Sequence, residues 1–181
     1  VIRNWQPFVK LGVHEIYSPA APYSRVKLDY PVNMGGYQHP RDPNQPIGLH
    51  MVYVPTLPGS GLSPREQSRK GRALLLGTPF EVHEKMIREQ LQGMFGEAGF
   101  DHQRDIQAIT VNRWSHGYSY FLNGLFDDEK EAEQIIHTAR QPIGRITIAN
   151  SDSDWSPYAN SAVDQAWRAV NELTAMNKES V

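Results

Sequence analysis

The stretch from Gly144 to Leu173 constrains the fold of this chain more than any other. It opens on Arg145-Ile146-Thr147-Ile148-Ala149. The alternation and β-branched residues of that run predict a short buried strand, bounded by Gly144 before it and by Asn150-Ser151-Asp152 after it. From Pro157 onward, Tyr158, Ala162, Ala166, Val170 and Leu173 recur at helical spacing and predict a helix with one apolar stripe. Strand, acidic turn and helix together direct unpaired backbone N–H groups toward a ligand, and Pro157 suits a first helical position. The closing β-α unit of any α/β domain has the same periodicity. Pattern alone therefore gives an architecture and not a ligand.

The rest of the chain is polar for a domain that must bury a core. Of 181 residues, 39% are hydrophobic, and 14 Gly with 13 Pro imply many turns; the mean hydropathy is −0.55. A net charge of −2 and a pI near 6.4 leave no basic footprint for nucleic acid or an anionic membrane. Without cysteine there is no disulfide, thiolate metal site or cysteine nucleophile, and the redox compartment stays open. No apolar run approaches the roughly 20 residues that span a bilayer. The seven histidines show no HxxxH or HxH pairing. His14, His39, His83, His102 and His137 read as isolated surface or turn positions. No G-x-S-x-G elbow supports a serine hydrolase.

Along the chain, residues 3–11 predict a short helix ending at Gly12, and Val13–Tyr17 a strand. Ser24–Tyr30 predicts a second strand with Val26, Leu28 and Tyr30 on one face, stopped by Pro31. A Gly/Pro/Asn/Asp-rich surface loop covers 33–46. Ile47–Pro55 reads as a strand apolar on both faces, with His50 a hydrogen-bonded core histidine. Ser63-Pro64-Arg65-Glu66 and Thr78-Pro79-Phe80-Glu81 each carry the capping-box pattern of hydroxyl, proline and Glu. They predict a helix to about Leu76 and a second with the stripe Val82, Met86, Ile87, Leu91, Met94 and Phe95, ended by Gly96 and Gly99. Ile106–Trp114 reads as a strand, followed by His116, Gly117, Tyr118 and Tyr120. By residue type, Trp114, His116, Tyr118 and Tyr120 form an aromatic strand end that packs under a loop or lines a site. Asp127–Glu133 is an acidic run leading into a helix that ends near His137, most simply a solvated face.

Two places resemble the flavin amine oxidase superfamily, and within it the bacterial spermidine dehydrogenase-like proteins. The first is Gly144-Arg145, the turn Ala149-Asn150-Ser151-Asp152, and Trp155-Ser156-Pro157-Tyr158, similar to that family's C-terminal flavin-binding motif. The usual Ala-Gly-Glu turn is here Ala-Asn-Ser-Asp. Ser151 and Asp152 are then the candidates to face the flavin ribityl chain, with Asp152 preferred. The second is Trp114 followed by Gly117-Tyr118, with His116 shared only with the spermidine dehydrogenase-like group.

The resemblance implies FAD as cofactor, a small-molecule amine such as a polyamine as substrate, and an α+β fold. That fold would be a substrate-side mixed sheet with helices over 1–105, closing over 106–181 with the β-α unit of a Rossmann-like FAD domain. Catalytic candidates by resemblance are Trp114, His116, Tyr118 and Tyr158. Cofactor-binding candidates are Arg145, Asn150, Ser151, Asp152, Pro157, Tyr158 and Ala159. The helix start from Ser156 to Asn160 would stabilise charge on the flavin, and the aromatic rings would hold a cationic amine.

No GxGxxG loop is present to seat the dinucleotide pyrophosphate, and Val1-Ile2-Arg3 reads as if in mid-domain. The expected partner is therefore an N-terminal FAD-binding portion, on the same protein or a companion chain. The expected compartment is a bacterial cytoplasm or periplasm, with no choice between them. Two rival readings remain at this point. One is a non-catalytic α+β binding subunit; the other is a flavin amino-acid oxidase, for which Arg113 would bind the carboxylate.

Overall fold

A computed structural model of the chain describes residues 1–29 and 33–178, with the side chains of 177–178 left undescribed. The predicted Tyr30 end of the second strand and its Pro31 stop lie outside the described residues. The fold is α+β, helices with one small antiparallel sheet. It divides into two units, Val1–Ser115 and His116–Val181. The division falls at Ser115/His116 rather than at 105/106, because Ile106, Ile109 and Val111 pack on the first unit's core.

In the first unit, β1 (Glu15–Tyr17), β2 (Arg25–Leu28) and β3 (Leu49–Val52) form a sheet in the order β1-β2-β3. Both pairings are antiparallel, so the expected mixed sheet is not what forms. The register sets Ile16, Val26 and Met51 in one row and Leu28 opposite Leu49, which makes one apolar face. Val26 and Leu28 are fully buried on it. The other face carries Glu15, Lys27 and His50 in register. Its Arg25 pairs with Glu15 and lies over the Tyr17 ring at 5.7 Å. The sheet is thus covered on one side only. His50 is exposed, as is Val54, and His50 is not the core histidine that two-sided burial predicted.

Helix α1 (Gln6–Leu11) ends at a left-handed Gly12, as expected. Helix α2 (Pro64–Gly77) starts with the full capping box: Glu66 N–H donates to Ser63 Oγ, and the Glu66 carboxylate accepts from Ser63 N–H. The second predicted capping box does not form. Only Thr78 and Pro79 separate α2 from α3 (Phe80–Phe95), and Thr78 closes α2 by donating its N–H and its hydroxyl to Leu74 O at 3.0 and 2.7 Å. Pro79 takes the N-cap position with no side-chain bond.

Helix α3 covers the sheet. Its buried line is His83, Ile87, Leu91 and Phe95, whereas Val82 is exposed. Phe95 stacks on Phe8 with ring centroids 4.3 Å apart and meets Phe100 edge-on at 6.2 Å. A 3-10 turn (Gly96–Ala98) and the one-turn α4 (His102–Asp105) follow. Ile2 bridges both Ile47 and Ile106, so the chain start lies between two later segments. Beyond Ile106 the predicted strand to Trp114 joins no sheet among the described residues, since no further strand flanks it.

The second unit holds α5 (Glu129–Ala139), a 3-10 turn (Ser151–Asp154) and α6 (Ala159–Lys178). Asp128 caps α5 by accepting from Glu131 N–H at 2.9 Å, so the acidic run opens a helix as read. Among the described residues the predicted strand Arg145–Ala149 is also unpaired in any sheet. Its one bridge there is the local pair Ile143 and Ile146 around Gly144, whose φ of 59° turns the chain back. Helix α6 begins two residues after Pro157. No helix among the described residues is long and apolar enough to cross a membrane.

Candidate functional site

The C-terminal turn is built by side chains that bond their own neighbourhood. Asn150, at φ 82°, accepts from Asp152 N–H through Oδ1 at 2.8 Å, and Ser153 Oγ donates to Asn150 O at 2.8 Å. Trp155 then sits in the left-handed region at φ 48°, where its N–H closes the 3-10 turn. Two arginines clamp this backbone. Arg140, the C-cap of α5, donates to Ser153 O through Nε at 2.5 Å and pairs with the Asp154 carboxylate. Arg168 on α6 donates to Ile148 O and, at 2.8 and 2.6 Å, to Gln165 and Glu172. Arg140, Asp154 and Arg168 did not stand out in the sequence; the only signal was Arg168 placed three and four residues from the partners on its own helix.

The segment after Gly117 reaches the same turn. Ser119 is buried and its hydroxyl bonds Ser151 Oγ at 2.5 Å, while the Tyr120 ring meets Trp155 edge-on at 4.8 Å. Tyr118 holds φ 55° with its side chain 89% exposed. Among the described residues the three non-glycine positions with positive φ, Tyr118, Asn150 and Trp155, therefore all belong to one neighbourhood. Such backbone costs of order 1–3 kcal/mol each and gathers where a site needs it.

Among the candidates of this unit, Tyr158 and Ala159 are exposed and Pro157 is half-buried. Arg145 is exposed on the turn after Gly144, and His116 is exposed. Ser151 is committed to Ser119, and the Asn150 side chain to Asp152 N–H. The carboxylate of Asp152 is left on the exposed side of a 3-10 turn packed against α6. The first bond of that helix runs from Ala162 N–H to Tyr158 O. The N–H groups of Ala159, Asn160 and Ser161 are then the donors that a helix start leaves without a helical acceptor. An exposed carboxylate and helix-start N–H groups in one unit are an acceptor for a hydroxyl and donors for an anionic or carbonyl oxygen, a donor set compatible with a flavin's ribityl and ring oxygens.

Trp114 and Arg113 belong to the first unit. Trp114 is 75% exposed, and Arg113 donates to Leu76 O at 3.5 Å. That unit also contains the functional-grade residue the sequence reading misplaced: His83 is 1% exposed, not at the surface. Its Nδ1 lies 3.1 Å from Tyr23 OH and its ring meets Tyr53 edge-on at 5.8 Å. The spacing four residues ahead of Ile87 was the available signal. No protein-family model matches the sequence, and no curated protein matches it.

Proposed function

We propose that the chain is the C-terminal part of an FAD-dependent amine oxidoreductase, in which 145–149 and α6 become the closing β-α unit of a Rossmann-like FAD domain only once that domain's sheet is present to pair with 145–149. The observation that carries this reading is the convergence of the 118–120 segment on the 150–155 turn. The residues that directly follow Gly117-Tyr118, the end of one stretch singled out for its resemblance, meet the other such stretch in one unit, through Ser119 with Ser151 and Tyr120 with Trp155.

Hydride acceptance from the carbon next to an amine nitrogen is what FAD supplies when bound, because no side chain here accepts electrons. Asp152 would accept a hydrogen bond from a ribityl hydroxyl. The α6 N-terminus offers its N–H groups and positive end to developing negative charge, and Arg140 and Arg168 keep the turn in place for both. Tyr158 and Tyr118, with exposed rings, face the amine and hold its cation by π attraction, of order 0.5–2 kcal/mol. His116 completes the wall within this unit, and Arg145, Asn150, Ser151, Pro157 and Ala159 shape the cofactor side.

The partner is an N-terminal FAD-binding portion. What supports it is the composition of the second unit's interior. Among its described residues the buried ones are Ser119, Ala132, Ser153, Ser161, Gln165 and Ala169, whereas Phe121, Phe126, Ile146, Val163, Trp167 and Val170 are exposed. A domain with its large apolar side chains outside and small or polar ones inside is missing the surface that would cover it.

Native mass with a visible absorption spectrum, taken on protein purified from its source, tests the reading. Flavin absorption in an assembly well above 20.5 kDa is expected. A colourless 20.5 kDa species that takes up no FAD overturns it. In the flavin-bearing assembly, Asp152→Ala should weaken flavin retention about tenfold, the equivalent of one hydrogen bond. Tyr158→Phe should leave the flavin bound and reduce amine turnover.

A further inference from the structure

His83 presents a buried imidazole with one satisfied nitrogen. Nδ1 faces Tyr23 OH at 3.1 Å, and Nε2 is buried with no partner. The Tyr23 hydroxyl is held neutral, its ionisation pushed up to about 12 by burial and by the neighbouring Tyr53. It therefore remains a donor, and neutral His83 accepts at Nδ1. The titratable and charged groups facing His83 from the elements around it are Tyr23 from the turn before β2, Tyr53 after β3, and the Arg113 guanidinium. None is an anion. The neutral ring then carries its proton on Nε2, so a second proton would enter at Nδ1, removing the acceptor that Tyr23 OH uses and leaving a buried cation with no anion facing it.

The same turn is tied to α3 at two more points: Tyr23 N–H donates to Gln90 Oε1 at 3.0 Å, and Gln90 Nε2 donates to Tyr23 O at 2.7 Å. All the fastenings of Tyr23 to the helix thus sit within two turns of His83. We propose that Tyr23 and His83 form a pH-operated latch that holds the 18–24 turn on α3 at neutral pH and releases it on acidification. Burial, with Arg113 adding to it, lowers the His83 pKa below the ordinary 6.5. The released form binds a proton that the closed form excludes. The latch is therefore closed above about 6.5 and weakens as pH falls below that value.

The amide of Tyr23 reports the latch directly, since its N–H is bonded to Gln90. Hydrogen exchange on the whole chain, corrected for the intrinsic rate, should show its protection falling about tenfold between pH 7.5 and 5.5, with Leu91 on α3 nearly unchanged. His83→Phe should keep Tyr23 protected at pH 5.5. If that variant does not fold, His83→Gln, which offers an amide oxygen to Tyr23 OH and does not titrate, takes its place. Constant Tyr23 protection in the parent chain, an equal loss at Leu91, or the same loss in the variant overturns the proposal.

Discussion

A carboxylate buried among donors shows how much one side chain can hold. Asp105 is 2% exposed and accepts from Arg104 Nε and Nη2 at 2.8 and 2.6 Å and from Asp101 N–H at 2.9 Å. Arg104 beside it, with the Asp101 amide and the Arg3 charge, holds its pKa below 3.8. Because the folded value is the lower one, its stabilisation is complete above the unfolded value and drains away as pH falls from about 4 downward. Asp105→Asn should cost about 1–2 kcal/mol at pH 7, the half-exposed Arg104 screening the remainder, and less at pH 2. Urea midpoints at the two pH values measure it; an equal penalty at both would assign the cost to packing alone. At this scale the sequence was legible where a residue acts on near neighbours, as Ser63 with Glu66 or Asp128 with Glu131. It was not legible where the partner is distant: Tyr23 with His83 and Arg140 with Asp154 depend on folds of the chain that no local pattern encodes.

Helices α2 and α3 each contain a glycine in their length, and the two behave oppositely. Gly93 on α3 is exposed, and a methyl there meets nothing within 4 Å. Gly93→Ala should raise stability by about 0.5–1 kcal/mol, the helix propensity difference. Gly71 on α2 is buried, and a methyl there would run into Pro55 O. Gly71→Ala should lower stability by about 1–3 kcal/mol despite the better propensity, since Pro55 O belongs to backbone and cannot rotate away. Thermal melts of the two variants decide it, and a stabilised Gly71→Ala would mean that α2 moves freely off the 53–57 segment. Helices were read well from sequence because caps and the 3.6 period are local. Two of the predicted strands failed for the complementary reason. Residues 106–114 and 145–149 have strand composition, but a strand exists only where another chain segment presents its backbone, and β propensity does not name that segment.

Over the whole molecule the two units differ in what holds them. The first has a core that runs from Phe8 through Val26 and Leu28 to Leu91, Phe95 and Phe100, every one nearly or fully buried. Among its described residues the second buries no side chain larger than Gln165, and it leaves Trp167 71% exposed on α6. Burying a large apolar side chain stabilises by about 1.5–3 kcal/mol, and ordering a residue costs about 1–2 kcal/mol. A 20-residue helix packed through Ser161, Gln165 and Ala169 therefore sits near balance, while α3 packed through Ile87, Leu91 and Phe95 does not. Hydrogen exchange on the 181-residue chain should then give high protection at Val26 and Leu91 and protection at least a hundredfold lower at Ala169. Adding the flavin-binding portion should raise Ala169 toward the Leu91 level, because the Val163, Trp167 and Val170 face of α6 becomes covered. Trp167→Ala separates the two possible causes of a rise. If the stripe is the docking face, the substitution removes most of the gain and leaves the free chain's low value unchanged. If Ala169 is already as protected as Leu91 in the isolated chain, the second unit is stable without a partner, and the argument that it lacks a covering surface fails.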